Sequence, residues 1–277
     1  MAKPSTSLLK RRLDIAEIVR KTGEIKVDDL AEMLAVSGVT IRNDLNYLEQ
    51  QGYLKRSFGG AIYTAQPMNV TVGRETSHAQ PLDNAIVLEL ARQVARQVRD
   101  GETVYLGPGD VLRKSIPFMA EYRELCLVVN DLAHVAPARD YIDGEMVLLG
   151  GVLEAGGQTL GGELAIQSLR QYQPSRSMVV VESISDDGTL NVASEATAAL
   201  LRESINASSQ CVVVIAKRPV HGEARHAVGA IENVSAVITP QMVAAEYHSR
   251  FLASGLSNSY TNNECLTWIN PDLHPAR

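Results

Sequence analysis

Short apolar runs recur along most of this chain, and helical patterns lie between most of them. In the runs "LCLVVN" (125–130) and "QCVVVIA" (210–216), at least five apolar residues follow one another without alternation. Strands of this kind are buried on both faces, as in parallel sheets with helical crossovers. The other runs lie at 102–107, 145–151, 177–183 and 235–239, and helices are predicted over 83–99, 111–123, 162–171, 195–207 and 240–254. Residues 83–255 are therefore predicted to form an open, Rossmann-like α/β domain.

Two segments lack this alternation. Residues 64–82, "TAQPMNVTVGRETSHAQPL", contain two prolines, a glycine and many small polar residues, with no periodic apolar face. This composition predicts a linker. The C-terminal tail, residues 256–277, is predicted to contribute one edge strand over 264–269 and then to fray.

The first 63 residues are organised differently. The predicted boundaries are a helix over 8–21 ended by Gly23, a second helix from near Asp28, a third capped by Ser37 and ended by Gly52, and two strands around a Gly59-Gly60 turn. Ile41, Leu45 and Leu48 give the third helix one apolar stripe. Three helices followed by a hairpin, with a short turn between helices two and three, are typical of a winged helix-turn-helix. Residues 8–63 are therefore predicted to bind DNA.

The third predicted helix carries side chains suited to a DNA groove. Arginine can pair with guanine and asparagine with adenine, so Arg42 and Asn43 are candidates for base contacts, unless Arg42 is simply a solvated or locally paired side chain. Free amides near the helix start can hold a phosphate. Asp44 would repel phosphate, so we expect it to orient Arg42 or Arg56. The predicted DNA-binding residues are Ser37, Thr40, Arg42, Asn43, Lys55, Arg56, Gly59 and Gly60.

Charge separates the two parts of the chain. The net charge is −6, but residues 1–63 carry ten Lys/Arg and eight Asp/Glu, whereas the remainder carries 16 basic and 24 acidic residues. A mildly basic module thus precedes an acidic one.

The cysteines and histidines indicate no disulfide or metal site. Three cysteines without a C-x-x-C pair, and scattered histidines, favour a reduced cytosolic protein without a disulfide framework, zinc site or cofactor. No apolar run is long enough for a membrane span.

The segment "VDDLAEMLAVSGVTIRNDLNYLEQQGYLKRSFGGAI" resembles the N-terminal signature of the DeoR-type bacterial repressors. The matched positions are Leu30, Ala31, Val36, Ser37, Thr40, Ile41, Arg42, Asp44, Leu45, Leu48, Glu49, Gly52, Arg56, Gly59, Gly60 and Ala61. The resemblance implies a phosphosugar-isomerase-like α/β domain that senses a small metabolite, commonly a sugar phosphate. It also implies a homodimer or homotetramer.

Candidate effector residues follow three of the predicted strands, because ligands of such folds bind beyond the carboxyl ends of the strands. The turns are "LGPGD" (106–110), "VVND" (128–131) and "LLGG" (148–151). Backbone amides of glycine-rich turns can hold an anion, although such a glycine often serves only the turn. The predicted effector-binding residues are Gly107, Gly109, Asp110, Arg113, Lys114, Asn130, Gly150, Gly151, Glu195 and Lys217.

Some turns depart from the family pattern. Where the family has a Gly-Thr-Thr type turn, this chain has Gly-Pro-Gly-Asp at 107–110, and Val129-Asn130 replaces a Thr-Asn pair. The later Asp-x-[ST]-Lys motif corresponds to "AKRPVHG" (216–222), with Lys217 at the aspartate position. This region stays basic, so an anionic effector remains the expectation, alongside a changed or lost effector.

The sequence favours a regulator over an enzyme. Glu195, Asp186 and Asp187 are the carboxylates that could act as a base, but no nucleotide, hydrolase or zinc motif accompanies them. The predicted function is a cytoplasmic, nucleoid-associated repressor of a carbohydrate-catabolism operon. Its predicted partners are double-stranded operator DNA and a small anionic effector such as a sugar phosphate. An activator or dual regulator, and a sugar-phosphate isomerase-like enzyme tethered to DNA, remain the alternatives.

Overall fold

The computed structural model describes residues 6–50, 52–63, 84–154, 157–216 and 224–273. The predicted linker, 64–82, lies outside these residues. The described residues up to 63 belong to one compact unit, and those from 86 onward belong to another.

The N-terminal unit contains three helices and three short strands among its described residues. The elements are α1 (Thr6–Thr22), β1 (Glu24–Lys26), α2 (Val27–Met33), α3 (Gly38–Gln50), β2 (Lys55–Ser57) and β3 (Gly60–Ile62). The helices and the hairpin confirm the predicted winged helix-turn-helix. The sequence did not indicate β1, which pairs antiparallel with β3, so that the wing is a three-stranded sheet in the order β1-β3-β2.

An apolar core holds the helices of this unit together. Ile41, Leu45 and Leu48 of α3 are buried, as their spacing predicts, and they belong to one cluster with Ile15 and Val19 of α1. Glycine ends two of the helices by adopting a left-handed conformation. Gly23 has φ +77° and Gly52 has φ +76°.

A buried carboxylate joins α1 to α3. Asp44 is only 1% exposed, and its two oxygens accept hydrogen bonds from Arg11 Nε at 2.7 Å and Arg12 Nε at 2.9 Å. The expected structural role of Asp44 is therefore right, but the expected partners, Arg42 and Arg56, are wrong. The physical reason is that Asp44 lies on the inner face of α3, turned toward α1 rather than toward solvent.

The second unit alternates strands and helices along the chain. Its first half comprises α4 (Asn84–Ala95), β4 (Thr103–Leu106), α5 (Asp110–Ser115), a 3₁₀ helix (Ile116–Glu121), β5 (Cys126–Val129), α6 (Leu132–Tyr141), β6 (Glu145–Leu148), β7 (Val152–Leu153), β8 (Leu160–Gly161) and α7 (Glu163–Tyr172). Its second half comprises β9 (Arg176–Val180), β10 (Ser183–Ile184), β11 (Thr189–Val192), α8 (Glu195–Ala207), β12 (Gln210–Val214), β13 (His226–Ala230), a 3₁₀ turn (Ile231–Asn233), β14 (Ala236–Pro240), α9 (Gln241–Ala253), β15 (Ser257–Thr261) and β16 (Cys265–Ile269).

Eight strands of the described residues form the central sheet, in the order β15-β16-β14-β12-β9-β4-β5-β6. The strands from β14 to β6 pair in parallel, which confirms the fold class predicted from the apolar runs. β15 and β16 add an antiparallel pair. The predicted edge strand over 264–269 is a strand but not an edge, because β15 lies outside it. The sheet therefore continues past the predicted boundary at residue 255.

Several local features differ from the predictions. The predicted helix over 111–123 changes after Ser115 into a 3₁₀ helix with Pro117 at its start, where a proline lacks the N–H that an α-helix interior requires. The sequence also gave no indication of α6, of the β7–β8 hairpin or of a small sheet in the order β10-β11-β13. No helix in the described ranges is long and apolar enough to cross a membrane.

We predict that Asp44→Asn destabilises the N-terminal unit by about 2–3 kcal/mol, because it removes two charge-assisted hydrogen bonds from a buried group. We place the cost at the lower end for a buried ion pair because Arg11 and Arg12 stay 19% and 16% exposed and keep access to water. Urea unfolding with hydrogen exchange at α1 and α3 amides measures the effect. The exposed Asp28→Asn is the matched control, and equal stability of the two variants would contradict the prediction.

Candidate functional site

The start of α3 is fixed by a side-chain cap. The amide of Thr40 donates to Ser37 Oγ at 3.2 Å, and the two hydroxyls lie 2.9 Å apart. This is the N-cap geometry that the sequence predicts for Ser37. The cap leaves the exposed hydroxyl pair at the end of the helix where free amides and the helix dipole favour an anion.

The outer face of α3 carries the predicted groove-reading side chains. Arg42 and Asn43 are exposed, and Thr40 is half-buried beside them. The arginine guanidinium turns back toward Gly38, since a Cβ at that glycine would lie 3.8 Å from both terminal nitrogens. Val39 is exposed on the first turn of the same helix, and the sequence analysis did not single it out. An exposed methyl group there suits contact with a thymine methyl group.

The wing is attached to α3 through Arg56. Its backbone N–H donates to Glu49 Oε1 at 2.8 Å, and its guanidinium donates to Asn46 Oδ1. Arg56 therefore has protein partners on α3, whereas the neighbouring Lys55 is exposed on the same strand. Both residues were predicted to contact DNA, and the contacts of Arg56 give it an additional role in orienting the wing.

The two predicted wing glycines have different structural roles. Gly59 has φ +80°, a conformation that side chains disfavour. A Cβ at Gly60 would lie 2.2 Å from the carbonyl oxygen of Ile25, so this position has no room for a side chain.

In the second unit, the register of three neighbouring strands brings the predicted effector turns together. Leu106 of β4 pairs with Val129 of β5, which pairs with Leu148 of β6. These residues end their strands, so the turns 107–110, 130–131 and 149–151 leave the sheet at the same edge. The sequence predicted each turn separately, and the sheet makes them neighbours.

The first turn already contains an ion-pair cluster. Asp110 Oδ1 lies 2.5 Å from Arg113 Nη2, and Asp110 Oδ2 lies 3.0 Å from Lys114 Nζ. Burial alone would raise the pKa of Asp110, but the two cations outweigh burial and hold that pKa below its ordinary value. The Gly107 amide donates to the carbonyl of Met178 at 2.9 Å, so it is engaged within the sheet. An incoming anion would therefore compete with Asp110 for the cations.

His134 connects the first turn to the second. It is fully buried, with Nε2 3.4 Å from the carbonyl oxygen of Gly109 and 3.8 Å from Asp131 Oδ2. Burial lowers the pKa of His134 despite the neighbouring Asp131 carboxylate, which favours the neutral imidazole at pH 7. The sequence analysis did not identify this residue. Its position inside α6, a helix that had no predicted counterpart, explains the omission.

The predicted effector residue Asn130 has partners inside the protein. Its Oδ1 accepts from the Tyr105 hydroxyl at 3.0 Å, and its Nδ2 donates to the carbonyl of Leu160 at 2.9 Å. Burial, together with the Glu154 and Asp131 carboxylates, raises the pKa of Tyr105. Asn130 thus links β4 to the β7–β8 hairpin, and its side-chain contacts are structural.

The third turn leads into the hairpin. Gly151 has φ +148°, and a Cβ there would lie 2.3 Å from the carbonyl oxygen of Gly161. The close approach of Gly161 therefore leaves no room for a side chain at residue 151. Gly150 has open space around its Cα. Glu154 then extends from the hairpin, and its Oε2 accepts from Thr197 Oγ1 at 3.2 Å.

Glu154 is a further residue that the sequence analysis missed. Its Oε1 is buried without a hydrogen-bond partner among the described residues, and burial raises its pKa. Its partner Thr197 lies in the first turn of α8, which Ser194 caps and where the predicted Glu195 is exposed. Glu195 opens the same helix, but within the described ranges no hydrogen bond or ion pair joins it to the turns at 107–110, 130–131 and 149–151. Lys217 lies outside the described residues.

Comparison with known proteins identifies both units. Residues 11–66 match the model of the DeoR-like helix-turn-helix domain, and residues 88–241 match that of the DeoR C terminal sensor domain. The chain is 26% identical to the glycerol-3-phosphate regulon repressor of Escherichia coli K12, over 83% of this chain and 90% of that protein.

A second repressor and a solved enzyme structure are also similar to this chain. The transcriptional repressor AccR of Agrobacterium fabrum is 26% identical over 83% of this chain and 88% of its own length. The structure of ribose 5-phosphate isomerase A from Methanocaldococcus jannaschii aligns with a TM-score of 0.35 at 12% identity, over 68% of this chain and 81% of that one. The sensor-domain match alone spans more than half of the 277 residues, and the chain therefore belongs to the DeoR family of transcriptional regulators.

Proposed function

We propose that this protein is a repressor that binds operator DNA through residues 8–63 and is controlled by a small anionic metabolite bound to residues 83–255. The observation that carries the proposal is the exposed face of α3, with Arg42 and Asn43 beside a capped helix start and a wing tied to the same helix. Its named relatives are repressors, including that of the glycerol-3-phosphate regulon. Residues 64–82 link the DNA-binding domain to the sensor domain. The protein acts in the cytoplasm, in association with the nucleoid.

The proposed DNA contacts divide by chemistry. Arg42 and Asn43 read base edges in the major groove, and Thr40 contributes its hydroxyl. Ser37 and Lys55 contact phosphates, which fix the register of the helix on the duplex. Arg56 holds the wing to α3, and Gly59 and Gly60 allow the close backbone packing of the wing.

One winged helix makes few contacts, and helix-turn-helix proteins commonly pair two half-sites. We therefore propose a homodimer or homotetramer. Effector binding then changes DNA affinity by the difference between its affinities for the two states of the assembly.

The proposed effector site comprises the three turns at the carboxyl edge of the sheet. Arg113 and Lys114 supply the positive charge, Gly109, Gly150 and Gly151 shape the turns, and Lys217 adds a further cation from a segment that was assigned by sequence alone. Asp110 pairs with both cations, at 2.5 Å and 3.0 Å. A phosphate group would take over these interactions, and the glycerol-3-phosphate regulon of one relative fits that chemistry.

The contacts of the three carboxylates suggested by the sequence as candidate bases do not favour that role for them. Asp186 is paired with Arg250, and Asp187 accepts from the Thr189 amide at 3.0 Å. Glu195 is exposed to solvent at the start of α8. A general base must be held against the proton that it removes, and none of the three has such a setting.

We predict that Arg42→Ala weakens binding to the specific site by about 1–3 kcal/mol while binding to random DNA changes much less, because a base contact carries sequence information. The probe is a duplex selected from a random library by the wild-type protein, and fluorescence anisotropy measures both affinities.

Lys55→Ala is the matched control for Arg42→Ala. Loss of a phosphate contact weakens binding to both duplexes alike and lowers the salt dependence. If Arg42→Ala behaves in the same way as Lys55→Ala, Arg42 contacts the backbone and its assignment to a base is wrong.

We predict that a sugar phosphate raises the thermal stability of the full chain, whereas the matching free sugar does not. A ligand at 100 times its dissociation constant stabilises the folded state by about 2.7 kcal/mol. Thermal unfolding against a panel of sugar phosphates, free sugars and polyols measures this shift.

Two variants of the first turn test the site itself. Asp110→Asn removes the competing carboxylate and should tighten binding of the anion, whereas Arg113→Gln should weaken it. An equal shift with the matching free sugar contradicts an anion site at this turn. So does weaker anion binding by Asp110→Asn, or tighter anion binding by Arg113→Gln.

A further inference from the structure

The wing carries one large apolar side chain that none of the contacts above explains. Phe58, between β2 and β3, has 109% of its reference surface exposed. Single exposed apolar residues are common on protein surfaces and need no partner. Phe58 differs from an ordinary surface residue in two respects: the backbone beside it is fixed, and the strands around it carry cations.

The backbone next to Phe58 is held by the sheet. The carbonyl of Gly59 accepts the Val27 amide at 2.8 Å. Gly60 packs so closely on the carbonyl oxygen of Ile25 that a Cβ would lie only 2.2 Å away. The phenyl ring is therefore presented at a defined position, and little backbone entropy is lost when it meets a partner.

The wing also has a fixed relation to α3. The Arg56 amide donates to Glu49 at 2.8 Å, and the Arg56 guanidinium donates to Asn46. Both partners lie in the C-terminal half of α3, away from the capped start that we propose enters the major groove. On a duplex bound at that start, a wing on this flank of the helix would lie over the sugar-phosphate backbone and the adjacent minor groove.

The charges near the tip identify the kind of partner. Lys26 of β1 pairs in register with Gly60 and is exposed, and Lys55 of β2 is exposed as well. Two carboxylates reach this sheet among the described residues: Glu24, 3.5 Å from the Ser57 hydroxyl, and Glu49, which accepts from the Arg56 amide. The three cations of the wing, Lys26, Lys55 and Arg56, outnumber them. Cations around an apolar tip favour a polyanion with apolar surfaces between its charges, which is the character of a nucleic-acid groove.

We propose that Phe58 is a DNA-contacting residue whose ring enters the minor groove beside the half-site read by α3 and wedges against a base step. The inference rests on the proposed binding of operator DNA and adds a contact to it. Apolar wedges of this kind partly unstack a step and bend the duplex toward the major groove. A preference for A·T pairs at the flank follows, because the guanine N2 amino group occupies the minor groove of a G·C pair.

The test uses the full-length protein and a duplex selected from a random library by the wild-type protein. Phe58→Ala should raise the Kd about tenfold or more, because the buried ring surface is lost, whereas Phe58→Tyr and Phe58→Trp should retain most of the affinity. The salt dependence should stay unchanged, in contrast to Lys55→Ala. Leu252→Ala, at an exposed apolar residue of α9, is the matched control and should leave the Kd unchanged.

Two spectroscopic readouts report the wedge directly. A 2-aminopurine at the flanking step should brighten when the wild-type protein binds, because unstacking relieves its quenching, and should stay dark with Phe58→Ala. Replacing the flanking A·T pairs by inosine·cytosine, which lacks the N2 amino group, should preserve the affinity, whereas G·C should lower it.

The outcomes separate the two proposals. If the wild-type protein selects no duplex from the library, operator binding fails and the wedge fails with it. If it selects one, but Phe58→Ala binds that duplex with the wild-type Kd and brightens 2-aminopurine equally, operator binding stands and the wedge is overturned.

Discussion

Burial of a parallel sheet on both faces is the constraint on which the sensor unit depends. β4 and β5 are largely apolar, and β9 is buried from Arg176 to Val179, as in parallel sheets that helices cover on both faces. Polar groups then concentrate at the ends of the strands. Because β4, β5 and β6 end in register, their turns share one edge. The ion pairs of Asp110, the buried His134 and the Asn130 bridge are all consequences of that edge, where backbone and side-chain groups leave the sheet without further strand partners.

Buried charges mark the points where the sequence alone was least informative. The apolar pattern of α3 does not indicate that Asp44 is buried, and its partners lie more than 30 residues earlier, in α1. Likewise, Arg176 is 2% exposed and forms a two-point pair with Glu102 across 74 residues. Such pairs need a folded chain to meet, and each must be satisfied since an unpaired buried charge is costly. Charge at a single position therefore says little until the fold supplies its partner.

Residues that follow strong periodicity were predicted well, and short polar elements were not. The apolar runs form β4, β5, β6, β9, β12 and β14, because three to six consecutive apolar residues between turn residues favour a buried strand. β15 has the sequence "SNSYT", which favours a loop, and only pairing with β16 makes it a strand.

The residues of the proposed effector site were likewise only partly predictable from sequence. Glycine-rich turns could be located from sequence, but His134 and Glu154 join the site through tertiary contacts.

In both units, a cation proposed to contact a ligand already has a partner within the protein. Arg56 bonds Asn46 and Glu49, and Arg113 bonds Asp110. The consequences differ because the competing groups differ. Glu49 accepts from the backbone N–H of Arg56, and the guanidinium bonds only the neutral Asn46 among the contacts above, so Arg56 keeps its charge available to phosphate. Asp110 is a carboxylate, so it partly neutralises the cations that an anion would seek. In the proposed DNA surface the cation thus stays available for phosphate, whereas an anion at the proposed effector site would have to displace Asp110 from Arg113 and Lys114.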